Sequence, residues 1–360
     1  MAEISQTVPK VRARFAGDRQ QRGRYVTMAL SLALVFTAIN SLGVGATGLP
    51  IWEILARFIN GIGLTHTESI VLFDIRMPRM VMGVLVGSAL SVSGTIMQGL
   101  FRNPLADPGL IGVGSGAALG AIIAIVLGSY LPAQLAATFG PSLVPFAAFI
   151  GAWATTLLLY RVSTRGGRTS VAVMLLAGIA VGALSGAVSG ILIYIADDSE
   201  LRDLTFWGMG SLAGATWTKV WVAAPMILIA LTSAPALARA LNAMALGETS
   251  AMHMGINVQR MKRFSILAVA GATGAAVAIS GGIGFVGIVV PHLLRISIGP
   301  DHRYLLPASA LLGAIILLVA DMVARVAVAP SDLPIGIITA ILGGPFFLYI
   351  LLRNRGMLEA

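Results

Sequence analysis

A chain of 360 residues that is 57% hydrophobic and 11% charged lies far from soluble domains, in which roughly a quarter of residues are charged. Its apolar runs are continuous rather than alternating, so the fold class is an all-α integral membrane protein and a β-barrel is excluded. The absence of cysteine excludes disulfides, thiolate metal sites and cysteine nucleophiles, and the net charge of +9 reads as basic cytoplasmic loops rather than nucleic-acid binding.

In chain order, a basic tail over 1–24 comes first and reads as an orientation signal in contact with lipid headgroups. Apolar windows follow at 25–45, 80–100, 109–129, 142–160, 171–195, 217–238, 264–282, 284–298, 304–325 and 334–352. Most approach the roughly 20 residues that a hydrocarbon core of about 30 Å requires. The first has no small-residue cleavage site and reads as a retained anchor, not a signal peptide. The ten spans form one transmembrane domain, 25–352, followed by a short tail, 353–360. Both termini then share one face. If that face is cytoplasmic, every Lys and Arg except Arg57, Arg76, Arg79, Arg202, Lys219 and Arg325 lies inside. The positive-inside rule therefore predicts N-in, C-in.

The motif "RMPRM" sets Arg76 and Arg79 at the outer mouth of the second span, where Pro78 suits an opening helical turn. These arginines either snorkel to the interface or form a cationic rim for an acidic partner, with Arg325 converging from another span. Asp321 is the exceptional acid within a span, and its spacing to Arg325 predicts an i,i+4 ion pair. Acids otherwise nearly vanish from the spans, which argues against a proton-driven transporter. After the second span, "LFRNPLADPGL" from Leu100 to Leu110 is a cytoplasmic turn: Pro104 and Pro108 forbid a continuous helix and Arg102 holds it inside. The glycines of Gly112-Val113-Gly114-Ser115-Gly116 read as close helix packing. No phosphate-binding Gly-x-x-x-x-Gly-Lys-Ser/Thr loop occurs, so the chain is not expected to hydrolyse ATP.

The segment 245–260 has helical periodicity but too few apolar residues to cross the membrane. It lies either beside the bilayer or against a soluble partner. His66, His253, His292 and His302 are scattered, and no metal-ligand or catalytic spacing stands out. A weak repeat relates Gly87, Ala89, Ser93, Gly94, Ile96 and Pro104 to Gly274, Ala276, Ser280, Gly281, Ile283 and Pro291 at a fixed offset. With opposite predicted directions for the two copies, it fits an inverted repeat.

Five stretches together resemble the permease family of bacterial ABC importers for ferric siderophores, heme and vitamin B12. They are Arg76-Met77-Pro78-Arg79, Ser93 to Gly112, "ALGETSAMHMGI" from Ala245 to Ile256, "GGIGFVGIVVPHLLR" from Gly281 to Arg295, and Leu333 to Phe347. The resemblance implies a type II importer fold in the bacterial inner membrane, with ten helices per subunit. It further implies a homodimer around a central path, two ATPase subunits beneath it and a periplasmic substrate-binding protein docked outside. ATP and Mg act in the ATPase subunits, and this chain binds no cofactor or metal of its own. Arg76, Arg79 and Arg325 match arginines that meet acids on the binding protein. Asn103 and Leu105 match a cytoplasmic gate. Glu248, Ala251 and Gly255, with Gly247 and His253 in the same motif, match the coupling helices that fit a cleft in the ATPase. The family's second gate element falls on Val171 and Ala172, where the vitamin B12 permease has hydroxyl residues; Thr169 and Ser170 are nearby but displaced. The turn "LFRNPLADPGLIG" looks most like heme permeases, which makes heme the expected cargo and cobalamin or a ferric siderophore the alternatives. A gradient-driven transporter or channel is the rival class.

Overall fold

The computed structural model describes residues 11–45, 50–132, 134 and 139–353. The expected tails fall partly outside the described residues, over 1–10 and 354–360. Helices α1 (Val11–Gly43), α2 (Ile51–Ile59) and α3 (His66–Ser69) lead through a π-helical turn, Ile70–Arg76, into α4 (Met77–Phe101). A 3₁₀ turn, Pro108–Ile111, precedes α5 (Val113–Leu127), and α6 (Leu143–Ser163) joins α7 (Val171–Ile195) through a hairpin pairing Thr164–Arg165 with Arg168–Thr169. Then come α8 (Asp198–Met209), α9 (Trp217–Met244), α10 (Glu248–His253), α11 (Val258–Ser280), α12 (Val286–Ile298), α13 (His302–Ala327) and α14 (Ile335–Arg353).

A helix meets each apolar window. Among the described residues eight helices are long and apolar enough to cross a membrane, and α12 and α14 supply shorter apolar helices. Because α1 starts at Val11, the basic residues expected as a separate tail include the first turns of the first spanning helix. The window at 284–298 is met by α12, whose 13 residues reach about 20 Å at 1.5 Å per residue. Residues 281–285 just before it are not helical, with Gly281 against the Trp207 carbonyl and Phe285 against Gly343. Gly281 (φ 70°) and Phe285 (φ 66°) make the turns that break the helix there.

The core forms around α4 and α11, whose apolar windows are 83% and 78% buried, whereas α1 and α7 are 6% and 11% buried and form the outside of the subunit. Small residues let the central helices touch: a Cβ on Gly87 would collide with the Gly313 carbonyl of α13, and one on Gly94 with that of Gly287 in α12. One face gathers Arg19, Asn242, Asp301 and Tyr304; the opposite face gathers the ends of α1 and α13 and the start of α4. The first is the face rich in Lys and Arg, as an N-in orientation requires.

The repeat holds through one helix and then breaks. Gly87, Ala89 and Ser93 of α4 and Gly274, Ala276 and Ser280 of α11 are all buried small positions. Beyond them, Gly94 and Ile96 continue α4 while Gly281 and Ile283 lie outside any helix, and Pro104 lies in a turn while Pro291 lies inside α12.

Candidate functional site

At the outer face the sequence-predicted arginines converge, but as a buried network rather than an open rim. Arg79 donates from Nε to Asp321 Oδ1 at 3.0 Å and from Nη1 to Asp332 Oδ2 at 2.9 Å. Arg325 Nη2 meets the other Asp321 oxygen at 2.8 Å, so the expected i,i+4 pair forms and is enlarged. Arg325 Nη1 also donates to the carbonyls of Ser41 and Val44, each at 2.9 Å, and Arg76 Nη1 to that of Gly43 at 2.8 Å. These carbonyls close α1, where the last turn has no intrahelical partners and favours cations. Arg76, Arg79 and Arg325 are only 5%, 7% and 7% exposed and Asp321 is fully buried, so free snorkelling does not describe them. Three guanidiniums against two carboxylates leave the cluster net cationic. Asp332, in the loop before α14, was invisible to periodicity because its partner is 253 positions away.

At the inner face, α4 ends on Arg102 in the left-handed region (φ 50°) and the chain reverses. Asn103 Oδ1 accepts from the Leu105 amide at 2.9 Å, and Asp107 Oδ1 accepts from the Gly109 amide at 2.7 Å. Two short side chains thus satisfy the amides that follow Pro104 and Pro108. Asn103 is exposed and Leu105 half-buried. Burial pushes the Asp107 carboxyl up from its ordinary value, against a smaller pull down from the Gly109 amide. Val171, half-buried, and Ala172, exposed, open α7. The turn meets α7 further on, at Gly178 beneath the Leu110 carbonyl. Thr169 and Ser170 are committed elsewhere: the Thr169 hydroxyl bonds Thr164 at 2.9 Å, and Ser170 caps α7 through the Val173 amide at 3.4 Å.

The segment 245–260 carries one six-residue helix, α10; the second expected short helix is instead the start of α11. Gly247 (φ 106°) and Gly255 (φ 79°) make its flanking turns, which a side chain would strain. Ala251 is fully buried and anchors α10, while Met252 (56% exposed), His253 and Met254 (45% exposed) project from the surface. Glu248 does not project: its Oε1 lies 2.6 Å from Nζ of Lys262, a buried lysine of α11 that the sequence pattern did not single out.

Between the two faces lies a cavity of about 300 Å³, lined among others by Leu90, Asp107, Trp207, Thr273, Ile283 and Phe285. Its apolar walls carry few polar groups, of which Thr273 Oγ1 has no hydrogen-bond partner. No group of three His, Cys, Asp or Glu that could hold a metal ion exists among the described residues. His292 packs edge-on against Phe346, and His302 bonds Asn242 at 2.8 Å.

Comparison with known proteins matches this architecture. The hemin transport system permease protein HmuU of Yersinia pestis is 47% identical over 326 residues, covering 91% of this chain and 95% of that protein. The cobalamin import system permease protein BtuC of Halobacterium salinarum is 43% identical over 81% of this chain and 76% of that protein. The vitamin B12 import system permease protein BtuC of Klebsiella pneumoniae is 37% identical over 94% and 96%. Among solved structures, a metal-chelate type ABC transporter in an inward-facing conformation superposes with a TM-score of 0.80 at 31% identity, covering 92% of this chain and 99% of that one. The model of the FecCD transport family spans residues 32–353. An all-helical bundle with a short half-span, an outer arginine network and a polar inner helix, matched over nearly its whole length, belongs to the FecCD transport family of membrane permeases.

Proposed function

We propose that this chain is the transmembrane subunit of an ATP-binding-cassette importer for heme or a similar large metal chelate, working in the bacterial inner membrane. The observation that carries the reading is the 47% identity to a hemin permease across 91% of the chain. The second reading, a cobalamin importer, draws on the 43% identity to a cobalamin permease.

In this mechanism the external binding protein holds the cargo and this chain supplies a gated conduit. Two copies face each other across the path, and two ATPase subunits seat on the projecting Met252, His253 and Met254. The exposed apolar sides of α7, such as Leu176 at 68% and Ile179 at 72%, suit lipid or a second copy. ATP binding and docking supply the differential energy that shifts the bundle between outward and inward states. Asn103 and Leu105, with the start of α7 at Val171 and Ala172, close the inner mouth. The net positive charge of the Arg76, Arg79 and Arg325 cluster attracts acidic lobes of the binding protein. An apolar path lets a flat hydrophobic chelate pass without being held.

The test is uptake by proteoliposomes containing this chain, its ATPase subunits and its binding protein, comparing hemin, cyanocobalamin and a ferric siderophore. ATP-dependent hemin uptake is expected. Uptake driven by an ion gradient without the ATPase subunits overturns the importer reading, and preference for cyanocobalamin moves the cargo to the second reading.

A further inference from the structure

Lys262 occupies an unusual position. Its side chain is 4% exposed, yet it sits at the cytoplasmic end of α11, three residues from Gln259 on the same helix face. Both residues reach across to the hairpin between α6 and α7 and hold one of its residues, Thr169, by its amide and by its carbonyl. The Thr169 amide donates to Gln259 Oε1 at 2.9 Å, and the Thr169 carbonyl accepts from Lys262 Nζ at 3.2 Å. The same ammonium pairs with Glu248, the first residue of α10, at 2.6 Å. One buried cation therefore touches both the short helix that faces the ATPase and the residue just before the Ser170 cap of α7.

We infer that Lys262 is a positioning residue that transmits movement of α10 to the start of α7, through Glu248 on one side and the Thr169 carbonyl on the other. A buried ammonium that loses its carboxylate is stranded with one neutral acceptor. Displacing α10 thus obliges α11 and the hairpin to follow, and α7, capped by the next residue, turns with the hairpin. Gln259 keeps the hairpin on α11 while the ion pair adjusts. The inference rests on the reading of α10 as the element the ATPase moves.

The test is amide hydrogen exchange on the complex with its ATPase subunits, with and without ATP and vanadate, in wild type, Lys262→Met and Lys262→Arg. In wild type, exchange in α10 and at Thr169 and Ser170 is expected to change together. In Lys262→Met the α10 response persists while the Thr169 and Ser170 response falls about tenfold, and Lys262→Arg, which restores both donors, recovers it. A hairpin response that survives in Lys262→Met, or is lost equally in Lys262→Arg, overturns the inference. If α10 itself ignores nucleotide in wild type, the coupling reading fails. The link is then judged on the chain alone, where Lys262→Met either speeds Thr169 and Ser170 exchange or overturns it. Should Lys262→Met not assemble, Glu248→Ala, which cuts the same link at α10, takes its place, with the same two outcomes at Thr169 and Ser170.

Discussion

The outer and inner faces of this subunit use buried charge in opposite ways. Outside, Asp321 is fully enclosed between Arg79 and Arg325, whose side chains are 9% and 7% exposed, and the Arg325 guanidinium, with that of Arg76, also closes the end of α1. The carboxylate ties α4 to α13, and Arg325 carries the tie on to α1. Inside, Lys262 is equally buried but its partner Glu248 is 36% exposed and rides on a six-residue helix between two glycine turns. The outer network ties long helices rigidly; the inner pair ties one helix to a small element free to be pushed. Burial of both partners, as in Arg79–Asp321, makes a fixture to which the more exposed Asp332 is an addition; burial of one alone, as in Lys262–Glu248, makes a joint.

Asp321→Asn offers the sharpest way to break that contrast. It leaves two buried guanidiniums without their shared charge, at an expected cost of about 3–5 kcal/mol. Thermal unfolding of purified protein in detergent should show the largest loss of any single substitution at either face. A near-wild-type Tm would mean that water already reaches the cluster, and the outer face would lose its character as a fixture.

Glu248→Gln comes next. The amide still accepts from Lys262, and solvent screens a carboxylate this exposed, so the expected loss is about 1–2 kcal/mol. If the Tm falls as far as in Asp321→Asn, the inner pair is as locked as the outer one and the contrast disappears. Smaller still is Arg57→Ala. The Arg57–Glu68 pair lies at the rim, with Arg57 34% exposed, and Glu68 keeps its capping bond to the Thr65 amide at 2.9 Å. No measurable Tm shift is expected, and a clear loss would extend the outer fixture to α2 and α3.

The same contrast explains what was legible beforehand. Hydropathy is a local signal, so the ten apolar windows were readable, as was the Asp321–Arg325 spacing within one helix. Partners distant in sequence were not: nothing in the local pattern couples Arg79 to Asp332 or Lys262 to Glu248, and Lys262 looked like one more cytoplasmic cation. The amphipathic α2 and α8 are too short and too charged to register as spans, although Asp197 and Glu200 spell a capping box at the start of α8. The start of α12 was not readable because Ile283, Phe285 and Val286 are all apolar, while Gly281, Gly282 and Gly284 make non-helical backbone cheap there. The convergence of Arg325 with Arg76 and Arg79 was anticipated, but their burial was not, because the α1 carbonyls that absorb them carry no side-chain signature.

Asp107 tests the inner face from its other side. Its carboxyl is pushed up from 3.8 by burial, so the folded chain holds this proton more tightly than the unfolded chain does. Stability from this group is fully present below the ordinary carboxylate range and is lost as pH rises through the raised value. Asp107→Asn keeps an oxygen for the Gly109 amide and removes the charge whose burial is unfavourable. The variant should therefore melt at or slightly above wild type at about pH 7, and its Tm should fall less steeply than wild type between about pH 4 and about pH 7. A variant that melts well below wild type at neutral pH would show that the ionised carboxylate has a favourable partner across the cavity, with the amides at the start of α12 the nearest candidates, since Gly287 lies beside Asp107 Oδ2. The inner mouth would then contain a second charge tie, and it would no longer be the looser of the two faces.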